Sequence, residues 1–144
     1  MSREIKFRAR ITGSDQFICG LPNEVYGNGW DFIHSESGQS EYIDIDTLDQ
    51  YTGLKDKNGV EIYEGDILKL HTGIKSADDY MKKVVFFESS FCLAHTKDGI
   101  EGLSSSKIPF CLIDTNLAKK GLLDKDASSI LEVIGNIHQN PELL

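Results

Sequence analysis

The stretch from Gln50 to Leu70 constrains this chain more than any other. It holds three apolar runs, broken first by Lys55-Asp56-Lys57-Asn58-Gly59 and then by Glu64-Gly65-Asp66. Short apolar runs bounded by Gly, Asn and Asp read as strand, hairpin turn, strand, tight turn, strand. Gly59 supplies the positive φ that such a turn needs, because it has no Cβ to clash. Asp66, a carboxylate at the second turn, is expected to cap backbone N–H groups there. The stretch is thus a structural signature and holds no recognisable catalytic set.

The same period-two logic extends on both sides. Ile5-Lys6-Phe7-Arg8-Ala9-Arg10 alternates apolar and basic residues, which predicts a half-buried strand showing Ile5, Phe7 and Ala9 to the core and Lys6, Arg8 and Arg10 outward. Gln16 to Cys19 reads as a short strand, with turns at 20–23 and 27–29. Trp30 to His34 and Glu41 to Asp46 read as two more strands. In the second of these, Ile43 and Ile45 face one way and Tyr42, Asp44 and Asp46 the other. Further on, a polar excursion over 71–83 precedes a hairpin of Lys83–Phe87 with Phe91–His95. The region 100–128, interrupted by Pro109, is expected to carry one short helix over 117–120. Ser129–His138 reads as a strand covered on both sides, with Gly135 marking a bulge or close approach. Asn140-Pro141 then starts a terminal helical turn. The fold class is mainly β, with α+β as the alternative, in a single domain over residues 1–144.

Charge is segregated along this acidic chain, whose formal net charge is −8. Residues 11–50 hold eight acids and no Lys or Arg, whereas residues 1–10 carry four basic residues against Glu4. Such asymmetry marks Lys6, Arg8, Arg10, Asp44 and Asp46 as a candidate interaction surface. The competing expectation is that the basic row and the acidic segment neutralise each other across strands. With so few other basic residues nearby, the row makes a thin footprint for direct nucleic-acid binding. Asp44-x-Asp46-x-x-Asp49 lacks the glycine turn and oxygen count of a calcium loop.

Other chemistry is sparse. Cys19, Cys92 and Cys111 are widely spaced, which argues against a disulfide framework or a thiolate zinc site. The histidines have no metal-ligand spacing, and no phosphate loop or nucleophile elbow is present. His95 with Asp98, or Asp66, is the best enzymatic alternative. No metal or other cofactor is expected. No apolar run approaches the ~18 residues that span a bilayer, and the N-terminus lacks a signal-like apolar core. A cytoplasmic location follows as the expectation.

The central block, Gln50-Tyr51-Thr52-Gly53-Leu54-Lys55-Asp56-Lys57-Asn58-Gly59 with Ile62-Tyr63-Glu64-Gly65-Asp66-Ile67, closely resembles the central motif of the YopX family. Arg3 to Ala9, Val84-Val85-Phe86, Glu132 to Ile137 and Asn140 to Leu143 agree in order. Arg10 stands where the family often has Trp, and Ser89-Ser90 where it often has Asp-Gly. The resemblance implies a small SH3-like β-roll or open barrel with additional hairpins and one or two short helices. It also implies a phage or prophage origin and carries no established activity or functional residue. The resulting expectation is a non-enzymatic module, working in the bacterial cytosol, that binds an unknown host or phage protein or forms homo-oligomers through strand edges. An acidic nucleic-acid mimic that inhibits a host DNA-binding protein is the second reading.

Overall fold

The computed structural model describes residues 4–25, 29–33, 38–71, 81–87, 90–95, 108–109 and 130–143. It is mainly β, and every strand pairing among the described residues is antiparallel. Two compact units divide the chain after Gly53.

The first unit contains β1 (Phe7–Arg10), β2 (Phe17–Val25), β3 (Gly29–Ile33), β4 (Ser40–Tyr42) and the start of β5 (Asp49–Lys55). β2 runs unbroken through residues 20–23, where turns are expected from Gly20, Pro22 and Asn23. The reason is a change of partner: residues 17–20 of β2 pair with β1 and residues 21–25 with β3. Pro22 lies past the end of the β1 pairing, on a one-sided stretch that can spare an N–H. The expected strand over 41–46 is likewise corrected, because it ends at Tyr42 and continues as a single bridge between Ile43 and Ile11. A 3-10 turn, Ile45–Thr47, follows.

That turn is an insertion in the ladder beside β1. Residues 42–44 run along residues 10–12, and after the turn Asp49 and Gln50 pair with Arg8 and Phe7. In a regular ladder the Arg10 N–H would bond a partner-strand carbonyl. Here the Thr47 hydroxyl accepts it at 2.8 Å and itself donates to the Asp44 carbonyl at 2.7 Å. Ile45 is therefore turned out and exposed, whereas Ile43 joins Ala9, Phe7, Ile18 and Leu48 in the core of this unit. Ile5, expected inside, is 59% exposed because the strand begins only at Phe7.

The second unit holds the end of β5, β6 (Glu61–Tyr63), β7 (Asp66–Leu70), β8 (Met81–Phe87), β9 (Ser90–His95), β10 (Ile108–Pro109) and β11 (Leu131–Asn136). Its sheet runs β10-β9-β8-β7-β11. The three-strand reading of the signature stretch is what β5, β6 and β7 form. Ile62, Leu68, Val84, Phe91, Leu93, Ile130 and Leu131 make the core, joined by Leu54, Leu70 and Val133. Burying each Leu or Ile side chain contributes about 1.5–3 kcal/mol. β8 begins at Met81, two residues before the expected start, and residues 72–80 of the excursion lie outside the described residues. So do 96–107 and 110–129, which include Asp98, Cys111 and the expected helix over 117–120.

The two turns of the signature do different work. At the tight turn, Gly65 has φ +82°. Its N–H donates to Val84 and its carbonyl accepts from Ile137, both at 2.9 Å. Asp66, fully buried, accepts the Tyr63 N–H at 2.8 Å, as a turn cap should. At the hairpin turn Gly59 has φ +80°, but the organising residue is Asp56. Its Oδ1 accepts the N–H groups of Asn58 (2.8 Å) and Val60 (2.9 Å), and its Oδ2 accepts that of Val133 on β11 at 2.9 Å. Burial pushes the Asp56 carboxyl up, but the N–H groups of Val133, Val60 and Asn58, with nearby Lys57, more than offset this and hold it below the ordinary value. Its stabilisation is thus full above the unfolded-state value and is lost as pH falls through the lower folded one.

At Gly135 the β7–β11 register shifts, which is the expected bulge, and it leaves Ile134 partly exposed. A Cβ there would lie 2.5 Å from the Asn140 Oδ1, which accepts the Asn136 N–H. Gly135→Ala should cost about 1–3 kcal/mol through this overlap, read as a shift in the urea midpoint. In an Asn140→Gly background the same substitution should cost distinctly less.

Candidate functional site

The charged face of the first unit is built by the outward residues of β1 and its neighbours. Register places Arg8 opposite Cys19 on one side and Asp49 on the other. Both Nε and Nη2 of Arg8 reach Asp49 Oδ2, at 3.3 and 3.2 Å, with the side chains only 12% and 7% exposed. The guanidinium also lies over the Phe17 ring, 5.3 Å from its centroid. Arg10 Nε meets Asp44 Oδ2 at 3.1 Å in a more open setting. Lys6 sits 4.8 Å from the centre of the Tyr51 ring and 3.3 Å from Glu4.

Of the five residues singled out from the sequence, the structure joins Arg10 to Asp44 directly. Arg8 goes to Asp49, Lys6 to Glu4 and Tyr51, and Asp46 is exposed in the 3-10 turn. Asp49 was legible as an acid but not as Arg8's partner, since the inserted turn shifts the register by three residues. Arg8 and Arg10 therefore serve in cross-strand neutralisation, the competing expectation above. Asp44 and Asp49 are engaged with them.

A second constellation lies in the other unit. Lys69 and His71 are two residues apart along β7 and its extension, on the face opposite to core residues Leu68 and Leu70. Glu132 on β11 stands directly across from Lys69. Lys57 comes from the hairpin turn, anchored by its N–H to the Leu131 carbonyl at 2.9 Å. One oxygen, Glu132 Oε2, meets both His71 Nε2 and, at 3.7 Å, Lys57 Nζ. The His71 hydrogen bond, chiefly, with the charges of Lys57, His71 and Lys69, holds the Glu132 carboxyl below its ordinary value against a smaller opposing effect of burial. Sequence reasoning missed this group, whose members span 75 positions; the only signal was that Lys69 and Glu132 both interrupt apolar strands.

Of the enzymatic candidates, Asp66 is occupied as a turn cap, Asp98 lies outside the described residues, and so does the side chain of His95. Cys92 is buried and Cys19 half-buried. Among the described residues no group of three or more His, Cys, Asp or Glu is placed to hold a metal ion, and no helix is long and apolar enough to cross a membrane.

These features define an antiparallel, mainly β protein whose conspicuous polar residues build turns and cross-strand pairs. The chain belongs to the YopX family: the family model described as YopX protein matches residues 23–144. It is also similar to the protein EF1440 from Enterococcus faecalis, known from a crystal structure, at 29% identity over 99% of each chain and a TM-score of 0.55. No curated protein matches the chain.

The Arg8–Asp49 pair yields a direct energetic expectation. Removing one member takes the opposite charge away from a buried ion, so Arg8→Met should cost roughly 3–5 kcal/mol, whereas the double variant Arg8→Met/Asp49→Leu should recover more than half of it. Urea unfolding of the four species in a double-mutant cycle checks both.

Proposed function

We propose that the protein is a non-enzymatic interaction module, expressed by a phage or prophage and working in the bacterial cytosol through a protein partner. The observation that carries this reading is where the carboxylates go. Asp56 takes three backbone N–H groups, Asp66 caps a turn, and Asp49 and Asp44 neutralise arginines. These four carboxylates, groups of a type that performs acid–base chemistry, are thereby committed to the scaffold. Partner recognition then falls to exposed side chains such as Tyr42, Ile45, Leu21 and Phe86, and to the half-exposed charged groups.

Strand addition at β11 is disfavoured in this reading, because Lys57 N–H and the Asp56 carboxylate already occupy its outward Leu131 carbonyl and Val133 N–H. The nucleic-acid mimic is the weaker reading, since arginines already engage two of the eight acids of residues 11–50.

Capture from lysate of the bacterium that carries the coding sequence, followed by reconstitution from purified components, tests the proposal. The expected result is a partner that forms a complex of defined stoichiometry on size-exclusion chromatography. Retention of only basic DNA-binding proteins, all released by salt, would favour the mimic instead. No reconstitutable partner, together with a lost host phenotype on substituting Asp66, His95 or Asp98 by Ala in folded protein, would overturn the module reading in favour of an enzyme.

A further inference from the structure

We infer that Lys57, Lys69 and His71, grouped around Glu132, form a carboxylate-binding site for an acidic segment of a partner protein, with Glu132 as its resident occupant. The inference rests on the interaction-module reading and gives that module its recognition chemistry. Charge balance is the first ground. Among the described residues, Glu132 draws on two lysines and a histidine, and only Lys57 of these is shared with a second carboxylate, that of Asp56, whose oxygens are already taken by backbone N–H groups. The cluster thus gathers three nitrogen-bearing side chains around one half-exposed carboxylate on a chain of net charge −8.

Geometry is the second ground. Glu132 Oε2 accepts from His71 and faces Lys57 at the same time, so the arrangement already seats a carboxylate oxygen between two side chains. Lys57 Nζ, at 3.7 Å, lies beyond a good hydrogen bond and retains donors for a second carboxylate. The side chains of Lys57, His71 and Glu132 are 35%, 33% and 32% exposed, accessible to a partner yet partly shielded from solvent. The frame beneath them is hydrogen-bonded. Lys69 and Glu132 face each other across the β7–β11 ladder, and the Lys57 backbone is tied to Leu131.

Scale decides the class of partner. Screening confines attraction to about 8 Å at physiological salt. A short acidic segment can lie within the cluster, whereas for an extended polyanion such as nucleic acid these three side chains make a thin footprint. An incoming carboxylate competes with Glu132 for the same donors. Removing the charge of Glu132 should therefore strengthen binding, an effect that a cluster serving only to staple strands would not produce.

The test is a fluorescence-anisotropy titration of a labelled peptide of alternating Asp and Glu, against a Gln/Asn control and a single-stranded DNA oligonucleotide. Folding of each variant is verified by urea unfolding. Wild type should bind the acidic peptide and neither control, and binding should weaken with added salt. Glu132→Gln should bind about fivefold tighter, the scale of one solvent-screened charge, and Lys57→Ala/Lys69→Ala should lose most of the affinity. Equal or weaker binding by Glu132→Gln, undiminished binding by the double lysine variant, or preference for the DNA would overturn the site. A reconstituted partner complex that survives the double lysine substitution would overturn the site alone; failure to reconstitute any partner would instead fall on the module reading.

Discussion

One buried carboxylate, that of Asp56, holds together the parts of the second unit that are far apart in sequence. It closes the hairpin turn through Asn58 and Val60, and 77 residues later it accepts the Val133 N–H. An aspartate side chain thereby stands where a neighbouring strand would offer a carbonyl, and Lys57 N–H answers the Leu131 carbonyl beside it. An open sheet edge is an invitation to unwanted pairing, and the turn closes this one with two residues. The same contact positions Lys57 near Glu132, so the integrity of the half-exposed charged cluster depends on the buried one.

The first unit solves a related problem with a hydroxyl. Its ladder beside β1 is interrupted by the Ile45–Thr47 turn, and Thr47 substitutes for the missing carbonyl opposite Arg10. The inserted residues bring Asp49, and not Asp46, alongside Arg8. In both units a short polar side chain continues a hydrogen-bond ladder where the backbone departs from it, a commitment consistent with the cost of leaving such groups unmet.

Much of the fold was legible because period-two alternation and turn glycines are local signals. β5, β6 and β7, the bulge at Gly135 and the burial of Ala9 could be read from neighbours in sequence. The exceptions have physical causes. Pro22 and Gly20 spell a turn locally, yet β2 continues because it changes partners there. Ile45 follows the alternation of Ile43, yet the inserted 3-10 turn carries it outward. The partners of Arg8, Asp56 and His71 lie 41, 77 and 61 residues away, and no local pattern encodes separations of that size. The charge segregation did point to pairing along β1, but its register decided which acid each arginine meets.

The dependence of the second unit on Asp56 is most directly measured by native-state hydrogen exchange at the Val133 amide, in wild type and in Asp56→Ala. A stapling carboxylate predicts Val133 protected to the level of global unfolding in wild type. In the variant, protection should fall selectively at Val133, Val60 and Asn58, with a global loss of about 2–4 kcal/mol. Rapid exchange of Val133 in wild type, or an unchanged exchange pattern and stability in the variant, would contradict it.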